Sequence, residues 1–193
     1  MNHKKTTVLI IGDSISMGYT PTVRSLLADE FVVGRNEGNA RDSRNILANL
    51  DGYLDRTGDA AVVHFNCGLH DLRWLKERKA HQVPVGEYRE NLGRIVSRLQ
   101  ATGARLIWAR TTPVNDQPYP DGGLYRCQAY VEAYNAVADE VMAAAGLTVD
   151  DLHAAVIAAG KDECLKPDGV HMNDAAYQML GEHVAEAIRC ATR

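Results

Sequence analysis

The chain has 193 residues, 46% hydrophobic and 24% charged, which is ordinary globular usage and enough length to bury a core without disulfide staples. One domain spanning residues 1–193 is the natural reading at this size. Lys and Arg total 21 against 25 Asp and Glu, a net charge of −4, which argues against nucleic acid or an anionic membrane as the main partner.

The amino terminus, MNHKKTTVLIIGDS, has only four consecutive apolar residues, Val8 to Ile11. That is too short for a secretory signal or a membrane span, so a soluble cytoplasmic protein is expected. The first β-rich run is Thr7–Ile11, followed by the turn Gly12–Ser16. A second run, Phe31–Val33, leads into the loop Arg35–Ser43, and a third, Ala60–Asn66, into the long loop Cys67–Pro84. After Gly86, the residues Tyr88, Leu92, Ile95, Val96 and Leu99 recur at the spacing of one helix face, and Gly103 can cap the end. Arg105–Ala109 is a fourth strand, followed by the long loop Thr111–Leu124.

The segment Tyr125 to Ala145 then reads as a helix on the stripe Val131, Tyr134, Val137, Ala138 and Val141. Leu147–Val149 is a weaker fifth strand, Gly160–Asn173 a loop, and Leu180, Val184, Ala187 and Ile188 mark a closing helix. Runs that are apolar throughout, alternating with helices, predict a three-layer α/β/α sandwich around a mainly parallel sheet of about five strands. Four well-separated cysteines, with no C-x-x-C pair, fit free thiols in a reducing compartment.

In such folds function sits at the carboxyl ends of the strands. Gly12-Asp13-Ser14 follows the first strand directly, so Ser14 either caps the next helix or presents its hydroxyl to the strand-end crevice. Asp168-Gly169-Val170-His171 stands before the closing helix, where a local turn lets the carboxylate hold one ring nitrogen and leaves the other free as a base. A serine hydroxyl needs such a base to act as a nucleophile at neutral pH. Alone, the pair is equally a solvated loop whose Asp caps a turn. Asn66-Cys67-Gly68-Leu69-His70-Asp71 ends the third strand, facing the same crevice.

On these blocks the chain resembles the SGNH hydrolases, also called GDSL-type esterases, from Gly12 to His171. The resemblance implies a flavodoxin-like α/β/α sandwich and hydrolysis of acyl esters. It makes Ser14 the nucleophile, His171 the general base and Asp168 its orienting carboxylate. Thr111-Thr112-Pro113 is a weaker similarity.

Two positions depart from the family pattern. The third block is usually G-x-N-D and here reads Gly68-Leu69-His70-Asp71, so His70 stands where an Asn amide donates to the oxyanion. An imidazole N–H can donate equally; the alternatives are a structural histidine or a damaged site. In the second block the glycine that offers its backbone N–H is replaced by Arg41, with Gly38 the nearest glycine; Arg41 is favoured. The implied oxyanion hole is Ser14, Arg41 and His70.

No phosphate- or dinucleotide-binding glycine motif occurs and no metal-ligand spacing is evident, so no cofactor and no metal are expected. His64 reads as a core histidine and Cys67 as a packed one. Arg73, Trp74 and Tyr119 lie near enough to the site blocks for a share in substrate binding. The reaction implied is hydrolysis of short O-acyl esters, acetyl groups foremost, on a small molecule or carbohydrate. Thioesterase or lysophospholipase chemistry, or non-catalytic binding of a small ligand, are the alternatives.

Overall fold

The computed structural model describes residues 5–193. Its central sheet has five strands, β1 (Thr6–Ile11), β2 (Phe31–Arg35), β3 (Val62–Phe65), β4 (Arg105–Ala109) and β5 (Thr148–Asp150). They lie in the order β2-β1-β3-β4-β5 with every neighbouring pair parallel, the doubly wound order of flavodoxin-like folds. The apolar runs become strands covered on both faces: Val8 to Ile11, Val62, Val63 and Ile107 are all fully buried.

The helices are α1 (Ser14–Leu26), α2 (Ser43–Thr57), α3 (Val85–Gln100), α4 (Gln128–Ala144), α5 (Leu152–Ala158), α6 (Lys161–Cys164) and α7 (Asp174–Thr192). Strands are added toward one edge from β1 to β2 and toward the other from β3 onward, so right-handed crossovers put α1 on one face of the sheet and α2, α3 and α4 on the other. Packing agrees: α7 lies on α1, while α3 lies between α2 and α4. The α1–α7 approach is close. A Cβ added to Gly18 would stand 2.1 Å from the Tyr177 ring, and one added to Gly181 would stand 2.5 Å from Thr22.

Two strand-end loops carry structure that the sequence reading left irregular. Trp74–Leu75 pairs antiparallel with Ala80–His81 around a turn at Lys76–Arg78, and Gln117–Pro118 pairs antiparallel with Leu124–Arg126. The two hairpins touch, for Tyr119 Oη donates to the Trp74 carbonyl at 2.6 Å. The helix expected from Tyr125 is thereby corrected. Tyr125 and Arg126 are strand residues, and α4 starts at Gln128, whose N–H is held by Asp116 Oδ1 at 3.0 Å.

All four cysteines are free, and Cys67, Cys127 and Cys164 are buried. Burial pushes the Cys67 thiol well above its ordinary range. His64 is fully buried, its Nε2 3.1 Å from Asp150 Oδ2. Among the described residues, no helix is long and apolar enough to cross a membrane.

Candidate active site

The turn after β1 is fixed before any chemistry begins. Asn36 Oδ1 accepts the Gly12 N–H at 2.9 Å, and Asp13 Oδ1 accepts the Ile15 N–H at 2.9 Å, capping α1. Asp13, not Ser14, is therefore the capping residue, and the Ser14 hydroxyl is left free. Asp13 is only 1% exposed and its Oδ2 has no partner; burial raises its carboxyl above the usual carboxylate range.

The α1–α7 packing brings the base to this hydroxyl. Asn173 caps α7, so the loop just before it, 168–171, sits over the start of α1. Ser14 Oγ is 2.9 Å from His171 Nε2, and His171 Nδ1 is 2.8 Å from Asp168 Oδ2. With Nδ1–H donating to the carboxylate, Nε2 is left to accept from the serine. Asp168 Oδ1 accepts the N–H groups of Val170 and His171, each at 2.9 Å. Desolvation pushes the Asp168 carboxyl up, but these two N–H groups and the His171 ring outweigh it and hold it at about 2. Asp168 thus stays ionised across the neutral range. This arrangement can draw a proton from Ser14 and stabilise the resulting imidazolium.

The residues expected around an oxyanion are placed less uniformly. Ser14 N–H, at the amino end of α1, meets no acceptor among the described residues. Arg41 has φ 57, a left-handed conformation, one of two such non-glycine residues among the described residues and what a glycine position there demands. Its N–H, however, donates to Asn39 Oδ1 at 2.8 Å. Gly38 is also left-handed, at φ 62, but its carbonyl is bound by Arg35 and Asn36. His70 is half-buried in the turn after β3, and its ring has no hydrogen-bond partner among the described residues. Desolvation lowers its pKa, with Arg126 and Arg73 adding to the fall and Asp13 opposing it. Next to it, Asp71 is fully buried and accepts the Ser43 N–H at 2.9 Å, tying this turn to the start of α2.

Two arginines that the sequence reading gave no role hold these pieces together. Arg35, at the end of β2, donates to the Gly12, Asp13, Asn36 and Gly38 carbonyls at 2.7–3.1 Å and to Ser16 Oγ at 2.9 Å. It laces the nucleophile turn to the loop carrying Arg41. Arg126 donates to the Leu69 carbonyl at 2.8 Å and to Gln117 Oε1 at 3.3 Å; Gln117 in turn donates to the Asp168 carbonyl. Neither has a motif of its own, since each acts on backbone carbonyls brought near by the fold. Among the described residues, no three His, Cys, Asp or Glu side chains gather as a metal site would need.

A doubly wound sheet with a Ser-His-Asp relay at the end of β1 defines a serine hydrolase of the α/β/α type. Residues 10–179 match the model of the GDSL-like lipase/acylhydrolase family, and the chain belongs to that family. It is therefore a serine hydrolase acting on ester bonds. Solved structures of the same fold include a lipase/acylhydrolase from Enterococcus faecalis, 24% identical, covering 96% of each chain at a TM-score of 0.78. The acetyl xylan esterase AlAXEase is 14% identical, covering 94% of this chain and 99% of its own at 0.78. A catalytic mutant of Axe2, an acetylxylan esterase from Geobacillus stearothermophilus, is 18% identical over 97% and 96%, also at 0.78. At these identities the likeness is one of fold. No curated protein matches the sequence.

Proposed function

We propose that this protein removes short acyl groups, acetyl above all, from hydroxyls of carbohydrates or small molecules through an acyl-enzyme on Ser14. The observation that carries the reading is the unbroken relay from Ser14 Oγ to His171 Nε2 at 2.9 Å and from His171 Nδ1 to Asp168 Oδ2 at 2.8 Å. Ser14 attacks the ester carbonyl as His171 takes its proton. His171 then protonates the leaving alkoxide, and a water activated by the same imidazole releases the acid.

The tetrahedral oxyanion is held by the Ser14 N–H, the His70 ring and the Arg41 N–H. In the resting enzyme Asn39 Oδ1 holds the last of these, and substrate exchanges it for the oxyanion.

Two observations support the acetyl and carbohydrate part of the reading. The His171 side chain is 40% exposed, so the relay opens to solvent rather than into an acyl tunnel. Beside Arg41 runs a polar groove of about 530 Å³ lined by Asn39, Asn45, Asn49 and Tyr53, amides and a phenol suited to hydroxyl groups. Acetyl xylan esterases share the fold.

Acetate release from p-nitrophenyl acetate and from acetylated xylo-oligosaccharides tests the proposal, with Ser14→Ala as the control. Equal turnover by wild type and Ser14→Ala would refute the acyl-enzyme. Preference for octanoyl over acetyl esters would refute the acetyl assignment.

A further inference from the structure

The two hairpins press a pair of guanidinium groups against one aromatic ring. The Arg73 guanidinium carbon lies 4.7 Å from the centre of the Tyr125 ring and that of Arg126 lies 5.0 Å from it. Both flank His70: Arg73 follows three residues later, and Arg126 grips the neighbouring Leu69 carbonyl. Neither guanidinium joins an ion pair with any described residue, although both are partly buried.

Among the described residues, Arg73 Nε is buried without a partner, and Arg126 uses Nε and one Nη, leaving the other Nη without an acceptor. The carboxylates that attract Arg126 are Asp13, which caps α1 through Oδ1, and Asp168, which holds His171; neither forms an ion pair with Arg126. Burial and Arg73 outweigh their pull and bring the Arg126 guanidinium down to about 10. Two like charges brought together and partly desolvated are unfavourable unless an anion joins them.

We propose that Arg73 and Arg126 form an anion subsite beside His70, so that the favoured ester carries a carboxylate or phosphate on its alcohol half. The alcohol half follows from the acetyl reading on which this inference rests, because an acetyl group has no room for a charge. Each guanidinium carries a fork of N–H donors that such a group can accept from, and a charge-assisted contact of this kind discriminates strongly against a neutral analogue.

The test compares acetate release from O-acetyl-lactate, from acetylated glycerol 3-phosphate and from the neutral methyl ester of O-acetyl-lactate. The wild type is expected to favour at least one anion over the neutral ester by about tenfold or more in kcat/KM, and added salt is expected to shrink the preference. Arg73→Gln should lower the charged-to-neutral ratio by about fivefold or more, with Arg73→Lys restoring part of it. The ratio itself corrects for any general loss of activity. Whichever anion wins assigns carboxylate or phosphate.

A wild-type ratio at or below one, or one that Arg73→Gln leaves unmoved, overturns the subsite while leaving the esterase intact. Calorimetric titration of Ser14→Ala with the same two anions decides independently of turnover. Saturable binding weakened by Arg73→Gln supports the subsite even if no ester is hydrolysed, and absence of binding at millimolar concentration rejects it.

Discussion

Gly18 of α1 faces the ring of Tyr177 of α7 with no space for a methyl group between them. That contact sets how near the two helices come, and hence the separation of Ser14 from His171. Gly18→Ala is expected to cost about 1–3 kcal/mol of stability and to lower kcat more than it raises KM. Gly52 in α2, with open space at its Cβ, is the matched control: Gly52→Ala should gain roughly 0.5–1 kcal/mol. Thermal melts and steady-state kinetics on both variants check this; equal behaviour of the two would show that the helix spacing does not govern the relay.

Desolvation lowers the His70 pKa and so favours the neutral ring, aided by Arg126 and Arg73 and opposed by Asp13. If His70 donates to the oxyanion as a neutral imidazole, kcat/KM should rise with pH along a single limb and then stay flat. A bell-shaped profile near neutrality would mean an imidazolium donor. His70→Asn should keep most of the rate and His70→Ala should lose about 10²–10³-fold.

Arg41 occupies a left-handed conformation that costs a side-chain-bearing residue roughly 1–2 kcal/mol. Arg41→Gly should therefore raise the unfolding free energy by about 1 kcal/mol. Because the proposed oxyanion hole takes only the backbone N–H of Arg41, kcat should change less than about threefold. Chemical denaturation and p-nitrophenyl acetate kinetics measure both; a loss of a hundredfold in kcat would give the side chain a role that the backbone account lacks.

Asp71 carries a pH signature in stability. Burial raises its carboxyl to about 7 against the bonds from Ser43, with Asp42 adding to the rise. Between the unfolded value, about 3.8, and 7 the folded chain keeps a proton that the unfolded chain releases. Stability from this group is thus present at low pH, falls as pH rises through that window by at most about 1.4 kcal/mol per unit, and is level above it. Asp71→Asn keeps an oxygen for the Ser43 N–H and removes the titration. Its stability relative to wild type should climb from pH 4 to 7; parallel curves across that range would locate the proton elsewhere.

The relay residues were legible because each stands in a short local pattern at a strand end. Ser14 follows an apolar strand directly, and Asp168 and His171 are spaced to meet across one turn. The sheet was legible for the same reason, since strands buried on both faces are apolar throughout. Arg35 and Arg126 left no such trace: the partners that tie them to the site include the Gly12, Asp13 and Leu69 carbonyls from distant segments, which no side-chain pattern records. The strand at Leu124–Arg126 was hidden because the helical spacing of α4 runs smoothly back into it. What stops the helix is Asp116 and Leu69, both far away in sequence.

The α1–α7 pairing also dictates when activity can first exist. Ser14 and His171, the proposed nucleophile and base, stand 157 positions apart in the chain. During synthesis β1 and the Ser14 turn emerge early, yet the hydroxyl stays inert until α7 docks beside α1. Recovery of esterase activity during refolding is therefore expected to report the docking of α7 on α1, not the formation of the sheet alone.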